Sequence, residues 1–103
     1  MAIHNYWVYI ITNPKKSVLY IGVTNNLAKR LESHFQRRGD QRSFAGKYHC
    51  YNLIHYEHFN YIINAIAREK QLKKWNRKKK VVLIEKHNPN WEFKNSLFTI
   101  NHK

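Results

Sequence analysis

Five side chains in this sequence are of types that, gathered in one place, can work on a phosphate group: Tyr9, Tyr20, Arg30, His34 and Glu69. An arginine presents a permanently charged planar fork that fits phosphate oxygens, a geometry lysine does not copy. A phenol can position or accept a proton, and helps most where nearby cations lower its pKa; a neutral imidazole is already a suitable base at pH 7. A carboxylate in apolar surroundings needs a compensating cation, either an ion-pair partner or a metal.

The elements that would carry these groups follow from hydrophobic pattern. Trp7-Val8-Tyr9-Ile10-Ile11-Thr12 and Val18-Leu19-Tyr20-Ile21-Gly22-Val23 are β-branched and aromatic, and Asn13-Pro14-Lys15-Lys16-Ser17 between them is turn-like, so two joined strands are predicted. Thr24-Asn25-Asn26 offers caps to a helix from about Leu27 to Gln36, on which Leu27, Leu31 and Phe35 form one apolar stripe. Arg30 and His34, four apart on that helix, lie one above the other and can serve one site.

The segment from Arg37 to Lys47, with two glycines and no period, reads as a mobile basic loop. Tyr51 to Glu57 reads as a third strand. From about Tyr61 a helical pattern places Ile62, Ala65, Ile66, Glu69 and Leu72 on one face, which makes Glu69 the anomaly of that face. The same helix then runs on through a basic stretch, eight Lys or Arg among the thirteen residues from Arg68 to Lys80. Val81 to Ile84 packs as a last short helix ended by Asn88-Pro89, and the tail from Trp91 has no clear period.

A chain of 103 residues that is 43% apolar suits a single domain, with a core over about 6–88 and a tail over 89–103 left without an assignment. Its 19 Lys and Arg against six acids leave +13, a self-repulsion that favours an anionic partner, most simply a nucleic-acid backbone. Cys50 is the only cysteine, so neither an internal disulfide nor a cysteine-built zinc site is expected. His55 and His58, three apart, are weak evidence for zinc. No apolar run approaches the ~18 residues that span a bilayer, and no signal-like segment opens the chain, so a cytoplasmic protein without a membrane role is expected.

Trp7-Val8-Tyr9 and Tyr20-Ile21-Gly22, with ten residues between the two tyrosines, resemble the paired motifs of the GIY-YIG nucleases. Arg30, His34 and the segment Ala67-Arg68-Glu69-Lys70-Gln71-Leu72-Lys73, which resembles the helix bearing that family's catalytic glutamate, extend the likeness over about 6–88. The first motif departs in reading Trp-Val-Tyr instead of Gly-Ile-Tyr, while its tyrosine is kept. The short length is similar to that of small stand-alone bacterial members. The resemblance implies an α+β fold, a small three-stranded, mainly antiparallel sheet flanked by helices in the order β-β-α-β-α-α.

It also implies a metal-dependent endonuclease acting on phosphodiester bonds, in DNA more readily than in RNA. Glu69 would then hold Mg²⁺ or Mn²⁺, Arg30 would grip the phosphate, and Tyr9 or Tyr20 would position or deprotonate the attacking water, with His34 as the rival base. Gly22 reads as structural, a close backbone approach with no side chain to block substrate. Lys29, Arg37, Arg38, Arg42, Lys47, Arg68, Lys70, Lys73, Lys74 and Arg77 would bind backbone phosphates without reading bases. A monomer or weak dimer is expected, with a targeting protein as a partner of the kind the resemblance implies.

Plainer roles stand beside these: strand packing for the tyrosines, a solvated Arg30, a packing role for His34, and an ion pair of Glu69 with Arg30 or Lys73. The alternative function is a non-catalytic nucleic-acid binding module that keeps the fold and the charge.

Overall fold

The two predicted strands form a hairpin, β1 (Tyr6–Thr12) and β2 (Leu19–Thr24), whose turn is closed by Asn13: its Oδ1 accepts from the backbone N–H of Ser17 at 2.8 Å and of Val18 at 3.0 Å. The computed structural model describes residues 4–98. After the hairpin come α1 (Leu27–Gln36), a one-turn α2 (Phe44–Lys47), β3 (Asn52–Phe59), α3 (Ile62–Lys74), α4 (Arg77–His87) and a 3-10 turn at Asn95–Leu97.

The sheet is antiparallel in the order β2-β1-β3, with a bulge between Ile10 and Ile11 where β1 meets β3. Both faces are covered, so the central strand is apolar without alternation: Val8, Tyr9, Ile10 and Ile11 are all buried. One face packs Val8, Ile10, Ile21 and Ile54 against Ala65 and Leu72 of α3 and Ile84 of α4. The other packs Tyr9, Ile11 and Leu53 against Leu27 and Leu31 of α1, Ala45 of α2 and Cys50. This is the α+β architecture that the sequence predicts, with one helix more.

That helix, α2, stands where a mobile loop is predicted. Ser43 caps it, its Oγ accepting from the Gly46 N–H at 3.1 Å, and the Gly46 carbonyl accepts from Gly39 N–H at 2.8 Å and His49 N–H at 3.1 Å. A Cβ at residue 46 would lie 2.6 Å from the Asp40 carbonyl and 2.7 Å from that of Arg37, so only glycine allows this closure. The loop is thus tied to its own helix rather than free. Capping by Asn26, Oδ1 to Lys29 N–H at 3.0 Å, starts α1 as predicted. Its stripe is shorter than expected, however: Leu27 and Leu31 are buried, whereas Phe35 is 43% exposed beneath the Arg38 guanidinium.

The basic stretch from Arg68 to Lys80 is two helices, not one. Trp75 and Asn76 take extended backbone, and the Asn76 side chain caps α4 by accepting from Lys79 N–H at 2.9 Å. On α3 only Ala65 and Leu72 seat fully in the core, while Ile62 and Ile66 of the predicted apolar face are exposed. A helix that crosses a sheet touches it along a narrow line, and residues 65 and 72, seven apart, repeat on it.

Of the unassigned tail over 89–103, residues 99–103 lie outside the described residues, and the part up to residue 98 covers the outer edge of β3. Leu53 donates its N–H to Asn95 Oδ1 and accepts from Lys94 N–H, each at 2.7 Å, and Asn95 Nδ2 donates to the Tyr51 carbonyl at 2.8 Å. Asn88, 3% exposed, holds the turn before it through bonds with the Ile54 and Glu92 backbone. An open edge is thereby satisfied within the chain.

Glu57 joins β3 to α3. It accepts from Arg68 Nε at 2.8 Å and Nη2 at 3.1 Å, and pairs with His55 Nε2 at 2.8 Å, while His58 bonds Asn5 instead. His55 and His58 therefore share no ligand position. Burial pushes the Glu57 carboxyl up, but the bonds from His55 and Arg68 and their charges outweigh it and hold it at about 2. Lying below the ordinary value of 4.5, it stabilises the fold fully above that pH, and the contribution is lost as pH falls towards about 2. Urea unfolding between pH 5 and 2.5 should accordingly show a steeper loss of stability in the wild type than in Glu57→Gln. Parallel curves would mean that Glu57 carries none of the acid sensitivity.

Candidate functional site

Tyr9 and Gly22 are direct partners across β1 and β2, so their side-chain positions project from the same face. The Tyr9 phenol lies over Gly22: a Cβ there would collide with its ring and hydroxyl. Gly22 thus makes room for a tyrosine rather than for substrate, which sharpens the structural role predicted for it. The ring reaches across the edge strand β2, where α1 presents His34, and the Tyr9 hydroxyl and His34 Nε2 share a hydrogen bond of 2.9 Å.

Tyr20 completes an aromatic cluster, its ring 6.4 Å from that of Tyr9 and 5.4 Å, edge to face, from His34. Arg30, one turn before His34, is exposed and lines a cleft with Thr24, Asn25, Asn26, Lys29, Ser33 and Arg37. Burial pushes the Tyr9 phenol well above its ordinary range; Tyr20 and Glu69 add to this, and Arg30 opposes it. The condition under which a phenol helps most, a pKa lowered by nearby cations, is not met at Tyr9, because loss of solvent outweighs one guanidinium.

His34 is pushed down to about 4, first by burial and then by the charges of Arg30 and Arg37. It is neutral at pH 7, and the folded state resists a proton that the unfolded chain would accept as pH falls from 6.5 towards 4.

Glu69 stands on α3, and its charge adds to the rise of the Tyr9 phenol. Of the two ion-pair partners the sequence offers it, Lys73, one turn on, holds its Oε2 at 3.0 Å, and the Glu69 side chain is 15% exposed. Among the described residues no group of three or more His, Cys, Asp or Glu gathers in metal-binding geometry. That donor set suits a hard cation that keeps most of its waters and takes one carboxylate together with substrate oxygens, the usual manner of Mg²⁺. It does not suit a cation needing a full protein cage.

The predicted phosphate binders separate into groups. Lys29 and Arg37 line the cleft with Arg30, and Arg37, Arg38 and Arg42 line a second cleft with Gln36, Asp40 and Ser43. Arg42 is already chelated by Asp40, at 3.0 and 3.1 Å, though its side chain stays 91% exposed. Lys47 sits over the Tyr48 ring. Lys70, Lys74 and Arg77 are exposed along α3 and the start of α4. Arg68 does not join them, because Glu57 and Gln71 hold its guanidinium beside Trp75. The role of Arg37 in setting His34 was legible only as a three-residue spacing across the end of α1, where Arg37 is the C-cap.

Two measurements probe this geometry. Gly22→Ala should cost about 1–3 kcal/mol, the usual penalty of overpacking, and should abolish the Tyr9–His34 bond; unchanged unfolding and unchanged aromatic NMR shifts would contradict the contact. In an NMR titration His34 should stay neutral down to about pH 4, and Arg30→Gln should move its midpoint upward. A midpoint near 6.5 in the wild type would show that neither burial nor Arg30 acts on the imidazole.

Comparison with known proteins agrees with the fold. The chain matches the GIY-YIG catalytic domain family over residues 5–81. It is 35% identical over 85 residues to a UPF0213 protein of Bacillus pumilus (strain SAFR-032), covering 82% of this chain and 84% of that protein. The solution NMR structure of a UPF0213 protein from Bacillus halodurans is similar with a TM-score of 0.54 at 25% identity, covering 89% of this chain and 93% of the other. With the Tyr9 and Tyr20 strands side by side and the Glu69 helix against them, the chain belongs to the GIY-YIG family, whose catalytic domain is of nuclease type.

Proposed function

We propose that this protein is a divalent-metal-dependent endonuclease that hydrolyses phosphodiester bonds in DNA, working in the cytoplasm. The observation that carries the reading is the bond between the Tyr9 hydroxyl and His34 Nε2 at the edge of β2, with Arg30 one turn away and Glu69 within electrostatic reach. The excess of cations supports a nucleic-acid partner, and no helix among the described residues is long and apolar enough to cross a membrane.

In this mechanism Arg30 grips the non-bridging oxygens of the scissile phosphate and stabilises the charge that builds on them. The Tyr9 hydroxyl receives the proton of the attacking water while passing its own to His34 Nε2, so the pair acts as one base and the phenolate never has to stand alone. A low pKa makes His34 a weak base at rest. The arriving phosphate neutralises one of the charges that depress it, so basicity rises when substrate is bound. Tyr20 packs against both partners and limits their freedom. Glu69 would hold Mg²⁺ or Mn²⁺, releasing Lys73 to the substrate backbone; such an ion supplies a Lewis acid for the phosphate and a counter-charge for the departing oxygen.

The test is cleavage of end-labelled single-stranded, duplex and branched DNA, and of RNA, with Mg²⁺ or Mn²⁺. Glu69→Ala and Arg30→Ala should each lower the rate by roughly 100-fold or more, the scale for losing one charge-stabilising group, while binding in EDTA persists. Binding without cleavage of any substrate would instead support a module that keeps the fold alone, with the Lys73–Glu69 pair as its resting structure.

A further inference from the structure

Phe44 is the least expected surface feature beside the site. It opens α2, is 52% exposed, and stands in a chain with a +13 charge that would be more soluble with a polar side chain there. The turn that carries it is held in place: Ser43 caps the helix beneath it, and the Gly46 carbonyl takes two backbone bonds from the surrounding loop. The Phe44 ring lies nearly parallel to that of Tyr20, at 27° and 6.2 Å, and Tyr20 in turn touches Tyr9 and His34. Tyr48, 41% exposed, leans on Phe44 from the other end of the same turn at 4.8 Å. The aromatic series thus begins at the Tyr9–His34 bond and ends in solvent.

Its surroundings are cationic. Lys47 sits over the Tyr48 ring, and the cleft holding Arg37, Arg38 and Arg42 ends at Ser43, the residue before Phe44. A flat apolar ring in a positive rim suits a flat apolar ligand on an anionic backbone. Nucleobases have that character, but in a duplex their faces are covered by stacking, so an exposed ring next to the site is useful only to a base that is unpaired.

We infer that Phe44, backed by Tyr20 and Tyr48, is a stacking platform for an unpaired base next to the phosphate held at Arg30, which directs the site to single-stranded or flapped DNA rather than to the interior of a duplex. This rests on the nucleic-acid reading above and adds its substrate class. The rim cations hold the strand without reading sequence, and the platform accepts any base, because every base offers a π face.

The experiment measures binding by the full-length protein in EDTA, with a fluorescent single-stranded oligonucleotide containing 2-aminopurine and with a duplex of the same sequence. Phe44→Ala should weaken single-strand binding roughly tenfold, the scale of one lost base stack, and should remove the 2-aminopurine quenching. Duplex affinity should be unchanged, and Phe44→Trp should restore both signals. A thermal midpoint for each variant separates misfolding from loss of the platform. Equal weakening of single strand and duplex, or no change in either, would overturn the platform. Selective binding without cleavage in Mn²⁺ would leave the platform standing and remove the nuclease reading, whereas undiminished cutting of flapped DNA by Phe44→Ala would do the reverse.

Discussion

The candidate site depends on one steric relation, the Tyr9 ring occupying the space that a side chain at residue 22 would fill. Because the two residues are paired across the hairpin, the vacancy is at the right height for the phenol to cross β2 and meet His34. Everything else is arranged around that crossing. Leu27 and Leu31 seat α1 on the sheet at the angle that brings His34 and Arg30 to its edge, and α3, on the opposite face, carries Glu69, whose charge acts on the Tyr9 phenol. A small domain has few buried positions to devote to polar groups. Here one tyrosine serves as core on its ring and as site on its hydroxyl, a division of labour that suits phenols.

The distribution of charge follows from the scarcity of acids. Glu57, Glu69 and Asp40 each hold a cation, at Arg68, Lys73 and Arg42, so part of the positive charge is consumed within the fold. The cleft along α1 has no acid among its lining residues, and Lys29, Arg30 and Arg37 face solvent there together. The same charges that would attract a phosphate also disfavour a proton on His34. Attraction of substrate and tuning of the base are then one electrostatic effect, and binding the first relaxes the second.

Much of this was legible beforehand. The hairpin, the start of α1 at its Asn26 cap and the pairing of Arg30 with His34 on one helix follow from period and capping, which act over a few residues. The failures share a cause. The α2 turn depends on Gly46 fitting between carbonyls of its own loop, the break at Trp75–Asn76 on an asparagine choosing a cap over helix continuation, and the order of the tail on Asn95 reaching β3. None of these leaves a periodic signal, and the basic stretch from Arg68 to Lys80 looked continuous because lysine and arginine are good helix formers.

What the sequence determined by itself was the set of parts: two tyrosine strands, a helix carrying Arg30 and His34, a helix carrying Glu69, and a charge that selects an anionic partner. The state of those parts was decided by tertiary structure. Burial, which no local pattern measures, raises the Tyr9 phenol and lowers the His34 imidazole, against the direction that nearby cations alone imply for the tyrosine. Packing withdraws Arg68 into an ion pair with Glu57 and leaves Phe44 in solvent. Spacing along a chain establishes which groups can meet, but solvation, and with it protonation and exposure, depends on what the rest of the fold brings around them.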